Sequence, residues 1–416
     1  MSKAKPFRIS KQVVVEAFNQ VKANRGAAGV DDESIEDFEK DLKNNLYKIW
    51  NRMSSGSYFP PPVRGSELDK EDGSKRPLGI PTVADRTAQA VGKIYLEPQV
   101  EPCFHPDSYG YRPGKSAIEA VGVARQRCWR SNWVLDLDIK SFFDSLDHKL
   151  MMLAVRKHTD CKWLLLYIER WLKAPVQAKD GSLTKRDRGS PQGSVISPLL
   201  ANLFLHYAFD EWMRRNHPSI VFERYADDII VHCKSERQAQ WFKGVIEERF
   251  TACKLQLHPD KTKIVYCKDA NRPGNYPNEK FVFLGYEFRP RGSMTRDGRC
   301  FVNFSPAIGP KAAKKIRRTI RSWKIHRMSD KSLQDLSHIF NAVLRGWINY
   351  YGSYYKSALY RIFVQLNRSL MKWAMRKYKR LRGKRRRAVH WLGRIAKRQP
   401  HLFAHWSLGV RPAAGR

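Results

Sequence analysis

The sequence predicts an α+β fold built from two or three domains, and three observations carry that expectation. Stretches with apolar residues at helical spacing are interleaved with short runs at strand spacing. At 416 residues the chain is longer than one ordinary core fills. After Pro306 the composition changes, and helical stretches rich in Arg and Tyr follow one another.

The elements follow in order. Lys11 to Asn24 is a helix whose Val14, Ala17, Phe18 and Val21 share a face, closed by Gly26 and Gly29. Ser34 to Trp50 repeats the pattern through Phe38, Leu42, Leu46 and Ile49. Pro60-Pro61-Pro62 stops it and opens an extended segment, and Asp72-Gly73 marks a hairpin tip between Glu67 and Lys75. Thr82 to Leu96 is helical again. Trp133 to Ile139 reads as a strand, in which period two sets Asp136 and Asp138 on one face and Leu135, Leu137 and Ile139 on the other. Ser197 to Met213 is a long apolar helix, Val221 to Cys233 a hairpin turning near Ala226-Asp227, and Arg237 to Phe250 a helix. Phe281 to Phe288 and Cys300 to Phe304 are strands. Beyond Pro306, three packed helices are expected: Lys311 to Ile325, then Leu333, Leu336, Phe340, Val343 and Trp347, then Leu359, Ile362, Phe363, Leu366, Leu370 and Trp373.

Charge narrows the partners. The chain has 77 Lys and Arg against 40 Asp and Glu, a net charge of +37. Such a field implies a polyanion, with nucleic acid the first choice. The excess is clustered: from Lys311 to Arg416 there are about 28 basic residues against Asp330 and Asp335. Arg376 to Arg387 is dense enough to meet phosphates, which marks Arg376, Lys377, Lys379 and Arg380 as candidate RNA contacts. Seven scattered cysteines without a Cys-x-x-Cys pair suit reduced thiols in the cytoplasm. No secretory signal and no membrane-spanning run is visible, so no membrane partner is expected.

The chemistry lies in Tyr225-Ala226-Asp227-Asp228 and in Asp136-Leu137-Asp138. Each acidic group interrupts an apolar run, which is costly unless a cation sits against it. Magnesium suits hard oxygen ligands, with manganese as a possible substitute. Two such sites on neighbouring strands can hold two ions about 4 Å apart, the arrangement that drives nucleotidyl transfer. Asp138 and Asp227 are the best candidate ligands, with Asp228 beside them and Asp136 weaker.

The order of motifs resembles the group II intron reverse transcriptases, the maturase family of bacteria and organelles. The resemblance runs through Asn24-Arg25-Gly26-Ala27-Ala28-Gly29-Val30-Asp31, Arg76-Pro77-Leu78-Gly79-Ile80-Pro81, Ser108-Tyr109-Gly110-Tyr111-Arg112-Pro113-Gly114 and Asp138-Ile139-Lys140-Ser141-Phe142-Phe143-Asp144. It continues through Ser190-Pro191-Gln192-Gly193, Tyr225-Ala226-Asp227-Asp228, His258-Pro259-Asp260-Lys261-Thr262, Phe283-Leu284-Gly285-Tyr286 and Gly346-Trp347-Ile348-Asn349-Tyr350-Tyr351. Ser194 and Val195 depart slightly from the usual pattern. The resemblance implies a right-hand polymerase: an N-terminal extension and fingers over 1–130, a palm with inserted fingers elements over 131–305, a helical thumb or maturase domain over 306–380, and a short basic tail over 381–416.

It also assigns roles. Asp138, Asp227 and Asp228 would be catalytic and bind two magnesium ions. Lys70 and Arg76 would hold the triphosphate. Phe143 would lie under the incoming sugar and leave no room for a 2′-hydroxyl, the group that separates RNA from DNA. Gln192 would sit near the nascent base pair, Lys261 near the phosphates as a possible proton donor, and Arg112 on the template strand. Expected partners are the parent group II intron RNA, an RNA template with DNA primer, dNTPs and a DNA target, in the bacterial cytosol and near the nucleoid. The choice between monomer and dimer stays open. No His/Asn-rich nuclease with zinc-like cysteines precedes Arg416, so the enzyme is expected to lack an endonuclease. His401 and His405, four apart, have no Cys or acidic partner nearby and are not expected to bind metal. The rival readings are a reverse transcriptase domesticated for defence or repair, a non-enzymatic splicing factor, and an RNA-directed RNA polymerase.

Overall fold

The computed structural model describes residues 6–69, 75–295 and 297–415, with the side chains of Leu68, Asp69 and Arg76 left aside. Lys70 and the Asp72-Gly73 tip fall outside that range. The elements are α1 (Lys11–Asn24), α2 (Ile35–Lys40), α3 (Leu42–Ser55), β1 (Val63–Asp69), β2 (Lys75–Ile80), α4 (Val83–Val100), α5 (Ala117–Arg130) and β3 (Trp133–Leu137). Next come α6 (Phe142–Ser145), α7 (His148–Arg156), α8 (Lys162–Lys173), β4 (Val176–Gln177), β5 (Leu183–Thr184), α9 (Ser197–Leu205), α10 (Glu211–Asn216), β6 (Phe222–Tyr225) and β7 (Asp228–Cys233). The remainder is α11 (Glu236–Ala252), β8 (Lys263–Tyr266), β9 (Phe281–Phe283), β10 (Tyr286–Met294), β11 (Cys300–Ile308), α12 (Pro310–Ser322), α13 (Leu333–Tyr351), α14 (Ser357–Lys377), α15 (Arg385–Arg398) and α16 (Ala404–Ser407). The fold is α+β.

Two compact units divide the chain: Met1–Ser116 with Leu135–Val231 and Glu236–Lys263, and Ala117–Val134 with His232–Ser235 and Ile264–Arg416. In the first, α1 buries Val14, Ala17, Phe18 and Val21, the stripe that its helical spacing marks. Its N-terminus is capped by Ser10, whose hydroxyl accepts from the Gln12 amide at 3.2 Å. The expected helix over 34–50 is two helices, because Asp41 leaves the helical region and starts α3. β1 and β2 pair antiparallel from Arg64↔Ile80 to Asp69↔Lys75, in a sheet of order β2-β1-β4-β5. β6 and β7 form the expected hairpin, with Tyr225 opposite Asp228, in a sheet of order β6-β7-β3-β8. The helix expected over 197–213 passes through a π-helical turn at His206–Asp210. β3 stops at Leu137, one residue short of Asp138.

In the second unit, the expected strand over 281–288 is two strands, β9 and β10, because Leu284 and Gly285 both take left-handed φ (52° and 81°) and turn the chain. β11 completes a sheet of order β11-β10-β9. The helices α12 to α16 share one core that includes Leu336, Phe340, Leu344, Phe363, Leu366 and Trp373. Each fully buried apolar side chain of this kind contributes about 1.5–3 kcal/mol. Val343 is 42% exposed and its place in the stripe belongs to Leu344. Ser332 and Asp335 form a reciprocal capping box at the start of α13. The basic stretch beyond 380 is folded: α15 sets Ala388, Leu392 and Ala396 into the same core, and Phe403 and Trp406 follow. No helix among the described residues is long and apolar enough to cross a membrane.

Candidate active site

The site forms where β3 and the β6–β7 hairpin end, in the first unit. Asp138 follows directly on β3, and its backbone is strapped by the segment 256–262. The His258 amide donates to the Asp138 carbonyl at 2.7 Å, and the Lys140 amide to the Gln256 carbonyl at 2.9 Å. That strap delivers Lys261, whose Nζ lies 3.1 Å from Asp138 Oδ2. Asp227 lies in the tight turn of the hairpin and Asp228 opens β7. Ala226 holds the turn with a left-handed φ of 55°.

Electrostatics draw the carboxylates into one field. Burial, then the charges of Asp228 and Asp138, push the Asp136 carboxyl up to about 8, against the pull of Lys263. Asp228 is pushed up to about 7 by the protein crowding around it and then by Asp227 and Asp138, with Lys261 opposing. Asp228 still keeps a side open to solvent, so the neighbouring negative charges carry much of the argument there. Negative charges that raise Asp136 and Asp228 in this way would be relieved by a cation.

The donor set, hard carboxylate oxygens at the ends of β3 and of the β6–β7 hairpin, suits a divalent cation chemically. It is not preassembled: among the described residues no group of three or more acidic, His or Cys side chains is close enough to form a ready-made cage. Lys261 sets a positive charge beside Asp138.

Phe143 lies in α6, buried and edge-on to Phe142, with ring centroids 5.4 Å apart. Its carbonyl accepts from the Ser190 amide at 2.7 Å, which ties this turn to the segment leading to Gln192. A cavity of about 560 Å³ between β1, β2 and that segment is lined by Lys75, Asp144, Arg186 and Gln192 among others. Arg186 was not marked by sequence reasoning. It belongs to the charged run Lys185-Arg186-Asp187-Arg188, where nothing separates a buried cation from a solvated one, and its Nε is buried without a hydrogen-bond partner. Arg76 is in β2, in register with Leu68.

Arg112 is turned inward: its side chain is 7% exposed, bridges to Glu101 at 2.7 Å, and donates to the carbonyls of His105 and Ser108, each at 2.7 Å. Its guanidinium shapes a loop and offers little to a nucleic-acid strand. Arg376, Lys377, Lys379 and Arg380 belong to the second unit. Arg376, Lys379 and Arg380 are exposed, whereas Lys377 donates to the carbonyls of Ser329 and Lys331 at 2.9 and 2.8 Å. His405 is buried against Asn367 Oδ1 at 2.8 Å, while His401 pairs with the Ser407 hydroxyl.

Comparison with known proteins agrees with this geometry. Residues 68–288 match the family model described as reverse transcriptase (RNA-dependent DNA polymerase). Residues 313–391 match that of the group II intron maturase-specific domain. The chain is 31% identical to protein YkfC of Escherichia coli over 66% of its own length and 79% of that protein. It is 28% identical to the group II intron-encoded protein LtrA of Lactococcus lactis over 81% of its length and 68% of that protein. It is 26% identical to an uncharacterized 91 kDa protein in the cob intron of Schizosaccharomyces pombe, over 86% of its length and 52% of that protein.

Proposed function

The chain belongs to the reverse transcriptase family, in its group II intron-encoded branch, and from that premise we propose a specific division of labour within it. It is an RNA-directed DNA polymerase with a maturase domain. Asp138, Asp227 and Asp228 are its catalytic carboxylates. Two magnesium ions held there, or manganese in their place, would lower the pKa of a primer 3′-hydroxyl and neutralise the leaving pyrophosphate. The observation that carries this reading is the placement of Asp138 just after β3 and of Asp227 and Asp228 at the turn of the β6–β7 hairpin, where burial and then the charges of Asp227 and Asp138 raise Asp228.

The other residues bind and orient. The cavity at Lys75, Arg186 and Gln192 suits a triphosphate, and Lys70 and Arg76, which the resemblance assigns to that role, would be further cationic partners. Lys261, poised on Asp138, is the candidate proton donor to the leaving group. Phe143, buried at the foot of α6, is the candidate gate against a 2′-hydroxyl. In this reading residues 1–130 and 131–305 would serve as fingers and palm, and the helices over 306–380 as a thumb. Their exposed cations, Arg376, Lys379 and Arg380 among them, suit RNA phosphates. The parent intron RNA, a primed RNA template, dNTPs and a DNA target are the partners this scheme requires.

The test is primer extension on an RNA template with dNTPs or rNTPs. Strong preference for dNTPs supports the reading. Equal use of both would favour an RNA-making enzyme, and no extension with RNA binding retained would favour a splicing factor without polymerase activity.

A further inference from the structure

A buried guanidinium lies directly beneath the catalytic turn. Arg224, two residues before Ala226, and Asp210 are both fully buried. Arg224 Nε donates to Asp210 Oδ1 at 2.7 Å and Nη2 to Asp210 Oδ2 at 2.5 Å, a bidentate pair. The remaining arm points at the turn: Nη1 donates to the Ala226 carbonyl and to Asn202 Oδ1, each at 3.0 Å. Asn202 in turn donates to the Gly110 carbonyl at 2.6 Å.

The Arg224 backbone is clamped as well. Its amide donates to the Asp107 carbonyl at 2.9 Å, and its carbonyl accepts from the Tyr109 amide at 2.8 Å. Gly110 lies so close to the turn that a Cβ there would come within 2.4 Å of the Ala226 amide nitrogen. Asp210 reaches the guanidinium from the end of the π-helical turn, a device that re-registers a helix and is frequent at functional sites.

The turn requires such a hold. Ala226 carries a Cβ in the left-handed region, where an L-residue other than Gly, Asn or Asp is disfavoured. Its carbonyl precedes the Asp227 amide, so fixing that peptide fixes where the Asp227 side chain begins. The strain sits one residue from a proposed metal ligand, where loss of the hold would swing the carboxylate.

We propose that Arg224, buttressed by Asp210 and Asn202, is a positioning residue that fixes the left-handed Ala226 turn and thereby aims Asp227 and Asp228. This rests on the polymerase reading. It adds that catalysis depends on a buried ion pair that touches no substrate.

The test compares wild type with Arg224→Lys, which keeps the charge and loses the fork. Primer extension gives kcat and the dNTP KM, filter binding gives primer–template affinity, and hydrogen exchange reads the amides of 225–228. The expected result is a folded variant with kcat down on the order of 10–100-fold. Its KM and primer–template affinity should stay within about twofold of wild type, and amide exchange should be faster at 225–228. Adding Ala226→Gly, which accepts the left-handed φ freely, should return several-fold of the lost kcat. A general loss of core packing would not be rescued by a change in the turn.

A folded Arg224→Lys variant with wild-type kcat and exchange would overturn the proposal, as would loss that Ala226→Gly leaves untouched. If Arg224→Lys does not fold, Asn202→Ala retains the ion pair and loosens only the arm at the turn. It should show a smaller kcat loss of about 3–10-fold with the same local exchange, and wild-type behaviour there would overturn the idea equally. Failure of the wild-type protein to extend a primer would instead count against the polymerase reading itself.

Discussion

In the unit that holds Asp138 and Asp227, charge is set among apolar strands: Asp136, Asp210, Glu223 and Arg224 all lie within or beneath the sheet. In the helical unit, charge lies on solvated faces, while the core of Leu336, Phe363 and Trp373 contains none. Buried charges must be neutralised one by one, so their geometry is specific and a single substitution there has a large effect. Solvated cations act as a summed field, so each has a small effect and salt screens them all. On the proposed reading the first region suits chemistry and the second suits holding a polyanion.

The sharpest way to break this comparison is Asp227→Asn. A metal ligand provides several kcal/mol of transition-state stabilisation, so the expected loss of primer extension is on the order of 10³-fold. RNA affinity, which this reading assigns to the field of the other unit, should change less than threefold in a filter-binding assay, a loss of roughly 0.6 kcal/mol at most. Parallel loss of both activities would join the two regions functionally.

Phe143→Ala comes next. Removing the buried ring should raise rNTP use relative to dNTP use by about 10–100-fold in single-nucleotide incorporation, the range that one pocket contact supplies. Unchanged selectivity would return Phe143 to the core.

A smaller, graded effect is expected from the helical unit. Changing Arg376, Lys379 and Arg380 together to Ala should weaken RNA binding uniformly across sequences and reduce the slope of log affinity against log salt by about 2. Deleting the chain beyond 376 is a poorer test, because it removes Trp406 and Leu392 from the core. An unchanged slope would place the RNA contacts elsewhere.

The smallest effects are in pH, with opposite signs in the two units. Burial holds the Asp85 carboxyl at about 6, against its usual 3.8. Between about pH 4 and 6 the folded chain binds a proton that the unfolded chain lacks, so this contribution falls as pH rises through that window. Burial lowers His405 to about 3 from 6.5, so its contribution falls as pH drops from about 6.5 to 3. Denaturant melts should show the first limb flattened by Asp85→Asn and the second by His405→Phe. Limbs of the reverse sign would contradict both assignments.

How much of this could be read in advance follows the same division. α1 coincides with its predicted stripe, and the hairpin turns where Ala226-Asp227 places it, because local periodicity and turn chemistry determine both. Asp138 and Asp227 stood out as candidates because a carboxylate that interrupts an apolar run is rare enough to signal. The break at Asp41, the π turn at His206–Asp210 and the reversal at Leu284-Gly285 were missed, since each depends on one or two backbone angles that periodicity averages over. Arg224 and Asp210 were illegible as a pair: fourteen positions apart in sequence, they meet only through the fold. The burial of Arg112 was illegible for the complementary reason, since an arginine in a polar loop reads as exposed until Glu101 closes on it.

The central claim is that Asp138, Asp227 and Asp228 converge on divalent metal beside a primer terminus. Its most direct test is a crystal structure with a primed RNA template, an incoming dNTP and manganese, in which anomalous scattering locates the ions. The account predicts manganese peaks at the Asp138, Asp227 and Asp228 carboxylates. Ordered nucleotide with no manganese at these carboxylates, or manganese coordinated elsewhere, would contradict it.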